Sequence, residues 1–303
     1  MKRLALILAI AALPLSLAAQ NQPKRPKITG IDHVRIYVTS VEKSREFYGD
    51  IVGLPTSGGG CAGNSRPCFP VNVTPLQQIE LEQAPTPAPD DWLAEVAFAT
   101  TDVAQMRRYL LGHGVKAGAI SKDANGAQHF ELRDPEGNPI AFIQRPLTSV
   151  DYEISPNQVS TRLFHAGFVV RDAAVEDRFY RQLLGFRMYW HGGFKDTAVD
   201  WEEIQVPDGS DWIEYMLNIP TPADHKELGV QNHFSLGVTS VKSAYDLLIA
   251  HGLKVTDDKP EIGRDGKWSF DIYDPDDTRV EFMEFKPVQK PCCHPYEAAH
   301  PVP

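Results

Sequence analysis

Two histidines and two glutamates, His165, Glu214, His233 and Glu281, sit in stretches where greasy and polar residues alternate. In Gln231 to Val238, for example, Phe234, Leu236 and Val238 alternate with His233, Ser235 and Gly237. That is the period of a β-strand, whose successive side chains point to opposite faces. Phe164, Ala166 and Phe168 set the apolar face of a second such strand, which leaves His165 on the other. Ile213, Tyr215 and Leu217 place Glu214 opposite them, with Trp212 and Met216. Val280 and Phe282 do the same for Glu281 and Met283. If the apolar faces pack on helices, the four polar side chains share one concave side. Two imidazoles and two carboxylates suit a divalent first-row ion, such as iron, zinc, nickel or manganese, with room left for water. Two carboxylates buried together without a cation would raise each other's pKa.

The elements that must position these groups form a repeat. His33 and His165, Phe47 and Phe179, and Gly53 and Gly185 are each 132 positions apart. Ile79-Glu80-Leu81 answers Ile213-Glu214-Tyr215, and Glu95 to Phe98 answers His233 to Leu236. Two Asp-Pro turns, at Asp134 and Asp274, precede the final strands. Each copy splits again into halves that start with a strand, pass through a helix and end in strands. The expected fold is α+β: four β-α-β-β-β units paired into two domains with cupped mixed sheets and outer helices. The domains are expected over residues 30–146 and 161–286, with linkers at 20–29 and 147–160 and a tail at 287–303.

The first copy departs from the second at its candidate site. His33, Glu80 and Glu95 hold the corresponding places, but Ala141 stands where Glu281 stands, and Arg35 shares the face of His33. An arginine there competes with a metal for the carboxylates. The first domain is therefore expected to be metal-free or weakly metal-binding.

The chain has 303 residues and a formal charge of −10, which disfavours nucleic acid and anionic membrane as partners. Lys2 and Arg3, the apolar run Leu4 to Leu17 and the small residues before position 20 read as a secretory signal, cleaved near residue 19. The run is short for a membrane anchor, so a soluble periplasmic or secreted protein is expected. There, Cys61 and Cys68 can close a loop. A bond between adjacent Cys292 and Cys293 would be strained, leaving pairing elsewhere or free thiols. The Cys-Cys-His run of the tail is either metal-binding or part of a disordered, proline-rich end. Tyr189, Trp190, Trp201, Trp212 and Trp268 are either core or a lining for a planar ligand. Residues 191–200, with Gly192-Gly193, are either a hinged lid or a hairpin loop.

The helix ending in Phe-Tyr before a glycine, the Ile-Glu strand, the His strand and the Asp-Pro turn leading to Val-Glu together resemble the vicinal oxygen chelate superfamily. It includes glyoxalase I, extradiol ring-cleavage dioxygenases and bleomycin-resistance proteins. Resemblance to glyoxalase I implies the ligands His165, Glu214, His233 and Glu281, with Glu281 or Glu214 as the base that moves a proton on a substrate chelated through two oxygens. Resemblance to the extradiol enzymes implies Fe(II) on His165, His233 and Glu281 only. Those enzymes also carry a His and a Tyr before the last turn. Here Asp271 stands at the Tyr place, and residues 262–268 contain no His. The expected function is thus a metal-dependent lyase or isomerase acting on a small molecule. The alternatives are a ring-cleavage dioxygenase and a non-catalytic binding protein; a homodimer is compatible with each.

Overall fold

The structure, a computed structural model, describes residues 23–56, 60–61, 66–123, 125–146, 154–254 and 259–303. The signal segment lies outside them. No helix among the described residues is long and apolar enough to cross a membrane.

The first sheet is built from β1 (Ile28–Val38), β2 (Cys68–Thr74), β3 (Gln77–Gln83), β4 (Leu93–Thr100), β5 (Ser121–Lys122), β6 (Gln128–Arg133) and β7 (Pro139–Gln144). Its order is β2-β3-β1-β4-β7-β6-β5. The second contains β8 (Arg162–Val169), β9 (Arg187–Gly192), β10 (Trp201–Gln205), β11 (Trp212–Met216), β12 (His233–Val238), β13 (Glu261–Ile262), β14 (Trp268–Tyr273) and β15 (Arg279–Glu284). Its order is β13-β14-β15-β12-β8-β11-β10-β9. Helices α1 (Val41–Glu46), α2 (Val103–Gly112), α3 (Ala173–Asp177) and α5 (Val241–Ala250) follow the opening strand of each half, and α4 (His225–Gln231) leads into β12. Three of the four units are β-α-β-β-β. In the first, the strand after the helix is reduced to a bridge between Thr56 and Val71. Ser40, Asp102, Asp172 and Ser240 cap the helices that follow the opening strands, each accepting from a backbone N–H of the first turn.

Both sheets bury their apolar faces in one continuous core, which runs from Val34 and Phe98 to Phe168, Tyr180 and Phe234. The repeat makes this junction reciprocal. The Tyr48 hydroxyl donates to Asp274 of the second Asp-Pro turn, and the Tyr180 hydroxyl donates to Asp134 of the first. The polar faces lie on the other side of each sheet.

Three sequence expectations change here. Phe164 does not pack with Ala166 and Phe168. The register between β8 and β12 shifts between Ser235–His165 and Leu236–Leu163. The extra residue turns Phe164 to the side of Trp212, Met283 and Phe285, because a bulge resets the period of two. The tail is ordered rather than disordered. It crosses the concave face of the second sheet, where Tyr296 stacks near Tyr189 and donates to Asp265, and Gln205 donates to the Ala299 carbonyl. Aromatic burial and side-chain bonds to its carbonyls hold a segment whose prolines form no helix or strand. Finally, Cys292 and Cys293 are bonded to each other, in a turn with Cys293 at φ 67°. Cys61 and Cys68 pair as the loop spacing suggests.

Candidate metal centre

The concave face of the second sheet is assembled row by row. His165 lies opposite Ser235 on one side and Trp212 on the other. The next row holds Gly167, between Glu214 on β11 and His233 on β12. Gly167 is there because a Cβ at this position would overlap the His233 ring. The glycine lets that imidazole lie across β8 and point at its neighbours. The His233 Nδ1 is 2.8 Å from the Gln231 carbonyl, which fixes it as the protonated nitrogen and leaves Nε2 as a bare donor atom.

The four side chains singled out by alternation converge. His165 Nε2 is 3.1 Å from His233 Nε2 and 3.1 Å from Glu281 Oε2. Glu214 Oε2 is 3.3 Å from His233 Nε2 and 4.0 Å from His165 Nε2. Ligands about 2.1 Å from one ion lie about 3 Å apart when adjacent and about 4 Å apart when opposite, so the separations within His165, His233 and Glu281 fit a single cation, with Glu214 approaching from the His233 side. His165, His233 and Glu281 form the tightest trio. Burial, aided by Arg279, lowers both imidazole pKa values, that of His165 to about 3, so both rings are neutral as ligation requires. Burial also lifts Glu214 and Glu281 above the usual carboxylate range. A divalent ion would accept the imidazoles as they are and draw the two carboxyls back to their ionised form.

Arg279, Glu203 and Lys267, all on this face, escaped the sequence reading. Arg279, two residues before Glu281, pairs with Asp271 at 3.4 Å, and Asp271 lies directly across from Glu281. The same alternation that found Glu281 places Arg279 beside it. Glu203, opposite Glu214, is buried and driven well above the carboxylate range by that burial. Lys267 is fully buried, 4.4 Å from the Trp212 ring and 3.4 Å from Asp265. The indole of Trp212 lies 5.0 Å from the His165 ring. Among the described residues, Trp212 Nε1, Ser235 Oγ and Glu203 Oε2 are buried without a protein hydrogen-bond partner. Of the aromatic candidates, Tyr189, Trp190 and Trp212 belong to this side, whereas Trp268 packs against the main core. Residues 191–200 close the β9–β10 hairpin, with the Asp200 N–H donating to the Gly192 carbonyl.

The comparisons with known proteins bear on this arrangement. The family model described as "Glyoxalase/Bleomycin resistance protein/Dioxygenase superfamily" matches residues 30–142 and again 162–282. The chain belongs to this superfamily. No curated protein sequence matches it. Its fold is similar to an extradiol ring-cleaving dioxygenase from B. fuscum, with TM-score 0.66 and 20% identity over 87% of this chain and 74% of that one. It is also similar to homoprotocatechuate 2,3-dioxygenase from Brevibacterium fuscum in complex with 3,4-dihydroxyphenylacetate (0.64, 21%, 87% and 82%) and to a catechol 2,3-dioxygenase (0.63, 18%, 88% and 92%).

The first cup shows what the second one lacks. Arg35 occupies the row of Gly167, flanked by Glu80 on β3 and Glu95 on β4. Its Nε is 2.8 Å from Glu80 and its Nη2 is 3.3 Å from Glu95. A guanidinium therefore sits among the carboxylates in the register position that Gly167 leaves open in the second cup. His33 donates toward Glu95 at 3.2 Å and pairs with Asp32 at 2.9 Å. Burial opposes its charge, but Glu80, Asp32 and Glu95 outweigh that and raise its pKa to about 9. A folded pKa above the unfolded 6.5 gives stabilisation that is complete below pH 6.5 and lost as pH rises through 9. Unfolding free energy measured with urea is expected to fall by about 3 kcal/mol between pH 6 and 9.5, and His33→Gln is expected to flatten that slope.

Proposed function

We propose that this chain is an exported metal-dependent enzyme with one centre, in the second domain. It acts on a small molecule that offers two neighbouring oxygens, by a glyoxalase-like lyase or isomerase reaction. The observation that supports this reading is the clustering of His165, His233 and Glu281 within 4.8 Å of one another, with Glu214 3.3 Å from His233. These residues would hold a divalent ion, which when bound acts as a Lewis acid on the two substrate oxygens. The imidazoles, neutral through burial, serve as ligands. Glu214 is the proposed base, because burial raises its carboxyl pKa and its Oε2 lies 3.3 Å from His233 Nε2, at the edge of the His165, His233 and Glu281 trio. Glu281 is the second candidate for that role, on the same ground. Trp212, Phe164 and the tail's Tyr296 exclude water from one flank. In the first cup, Arg35 takes the cation's place.

Ring-cleaving dioxygenation is the second reading, favoured by the tight trio His165, His233 and Glu281. The two separate experimentally. The proposed class should exchange the proton next to the carbonyl of an α-hydroxy ketone such as dihydroxyacetone for solvent deuterium, followed by NMR. Glu214→Gln should slow that exchange by about 10²–10⁴-fold while metal is retained. Oxygen uptake with catechol by the Fe(II)-loaded protein, and no deuterium exchange, would replace the first reading with the second.

A further inference from the structure

In the first cup Arg35 sits among the carboxylates, yet the cup is not filled. A cavity of about 880 Å³ opens on its concave face, within the size of ordinary small-molecule sites. Its lining sets Tyr37 and Pro139 beside Lys116, Arg133, Glu82 and Glu131. The wall at residues 114–118 is pinned, not loose. Ala117 bridges Leu132, the Gly118 N–H donates to the Glu131 carbonyl, and Arg107 donates to the Gly118 carbonyl.

The charges of the lining are unevenly spent. Glu95 is paired with Arg35, and Glu82 with Arg35 and Arg66. Lys116 and Arg133 are both exposed at the rim, and among the described residues neither has a carboxylate partner. Only Glu131 opposes them. The pocket thus offers two cations without a carboxylate partner, Arg133 being held only by the Gly137 carbonyl, against the single carboxylate of Glu131, on a chain whose formal charge is −10. An anion is repelled by most of this molecule and attracted here.

We propose that the first cup binds a small organic anion, its apolar body over Tyr37 and Pro139 and its charged group beside Lys116 and Arg133. The site is independent of the metal centre. It is tested on the full chain with 1-anilinonaphthalene-8-sulfonate, titrated by fluorescence, beside the neutral N-phenyl-1-naphthylamine. Saturable binding of one sulfonate probe per chain is expected. Lys116→Ala/Arg133→Ala should weaken it at least tenfold without altering the neutral probe, and His233→Ala should leave it unchanged. Both substituted side chains are exposed, and an unchanged thermal midpoint shows that losing the Arg133 bond to the Gly137 carbonyl leaves the fold intact. Wild-type affinity in the double variant, an equal loss for the neutral probe, or no saturable binding at all would overturn the proposal.

Discussion

His233→Ala is expected to leave purification with less than about a tenth of the metal of the wild-type chain, measured by elemental analysis. His233 is the donor whose position is most completely specified. Its ring lies across Gly167, its Nδ1 is held by the Gln231 carbonyl, and its Nε2 is 3.1 Å from that of His165 and 3.3 Å from Glu214. Alanine keeps the strand but removes the nitrogen that joins the β8 ligand to the β11 carboxylate. Because a ligand that binds only the folded state stabilises it, a chelator should lower the wild-type unfolding midpoint and leave that of His233→Ala in place. At a metal concentration 100 times Kd the difference corresponds to about 2.7 kcal/mol. The parallel substitution His33→Ala should not change metal content, since the first cup is closed by Arg35. Equal metal in wild type and His233→Ala would remove the centre from the second sheet.

Much of this site was legible because β-alternation is strict. Once Phe234, Leu236 and Val238 are assigned to the core, His233 has only one face to occupy, and the same holds for Glu214 and Glu281. The constant offset of 132 then carries His165 back to His33 and, less conspicuously, Gly167 back to Arg35. What alternation does not transmit is a bulge: one inserted residue reverses the face of everything before it, as at Phe164. Nor does local sequence reveal partners that are distant along the chain. Tyr296 meets Asp265, and Lys267 meets Trp212, through tertiary contacts that no nearby period encodes. The proline-rich tail reads as disordered because its residues favour no helix or strand, yet the aromatic face it covers supplies the missing stabilisation.

Arg35→Met should destabilise the chain by about 3–5 kcal/mol near pH 7, the cost of breaking a buried ion pair from one side. Methionine fills much of the space of the arginine stem, so the effect isolates the charge. Without the guanidinium, Glu80 and Glu95 are left buried with His33 as the cation they share, while Glu82 keeps only Arg66. In the wild-type chain, burial works to raise the pKa of Glu95, but Arg35 and His33 outweigh it and hold it below the usual range. A folded pKa below the unfolded one contributes stability that is present above the unfolded value and lost as pH falls through the folded one. That contribution disappears with Arg35. The gap in urea midpoint between wild type and variant should therefore be widest near neutrality and narrow below about pH 4.5, where the carboxylates take up protons in either chain. Metal content should stay at the wild-type level, because the centre on the second sheet draws none of its donors from the first. A variant as stable as wild type at pH 7 would mean that Arg35 is a solvated bystander and not the cation on which the first cup is built.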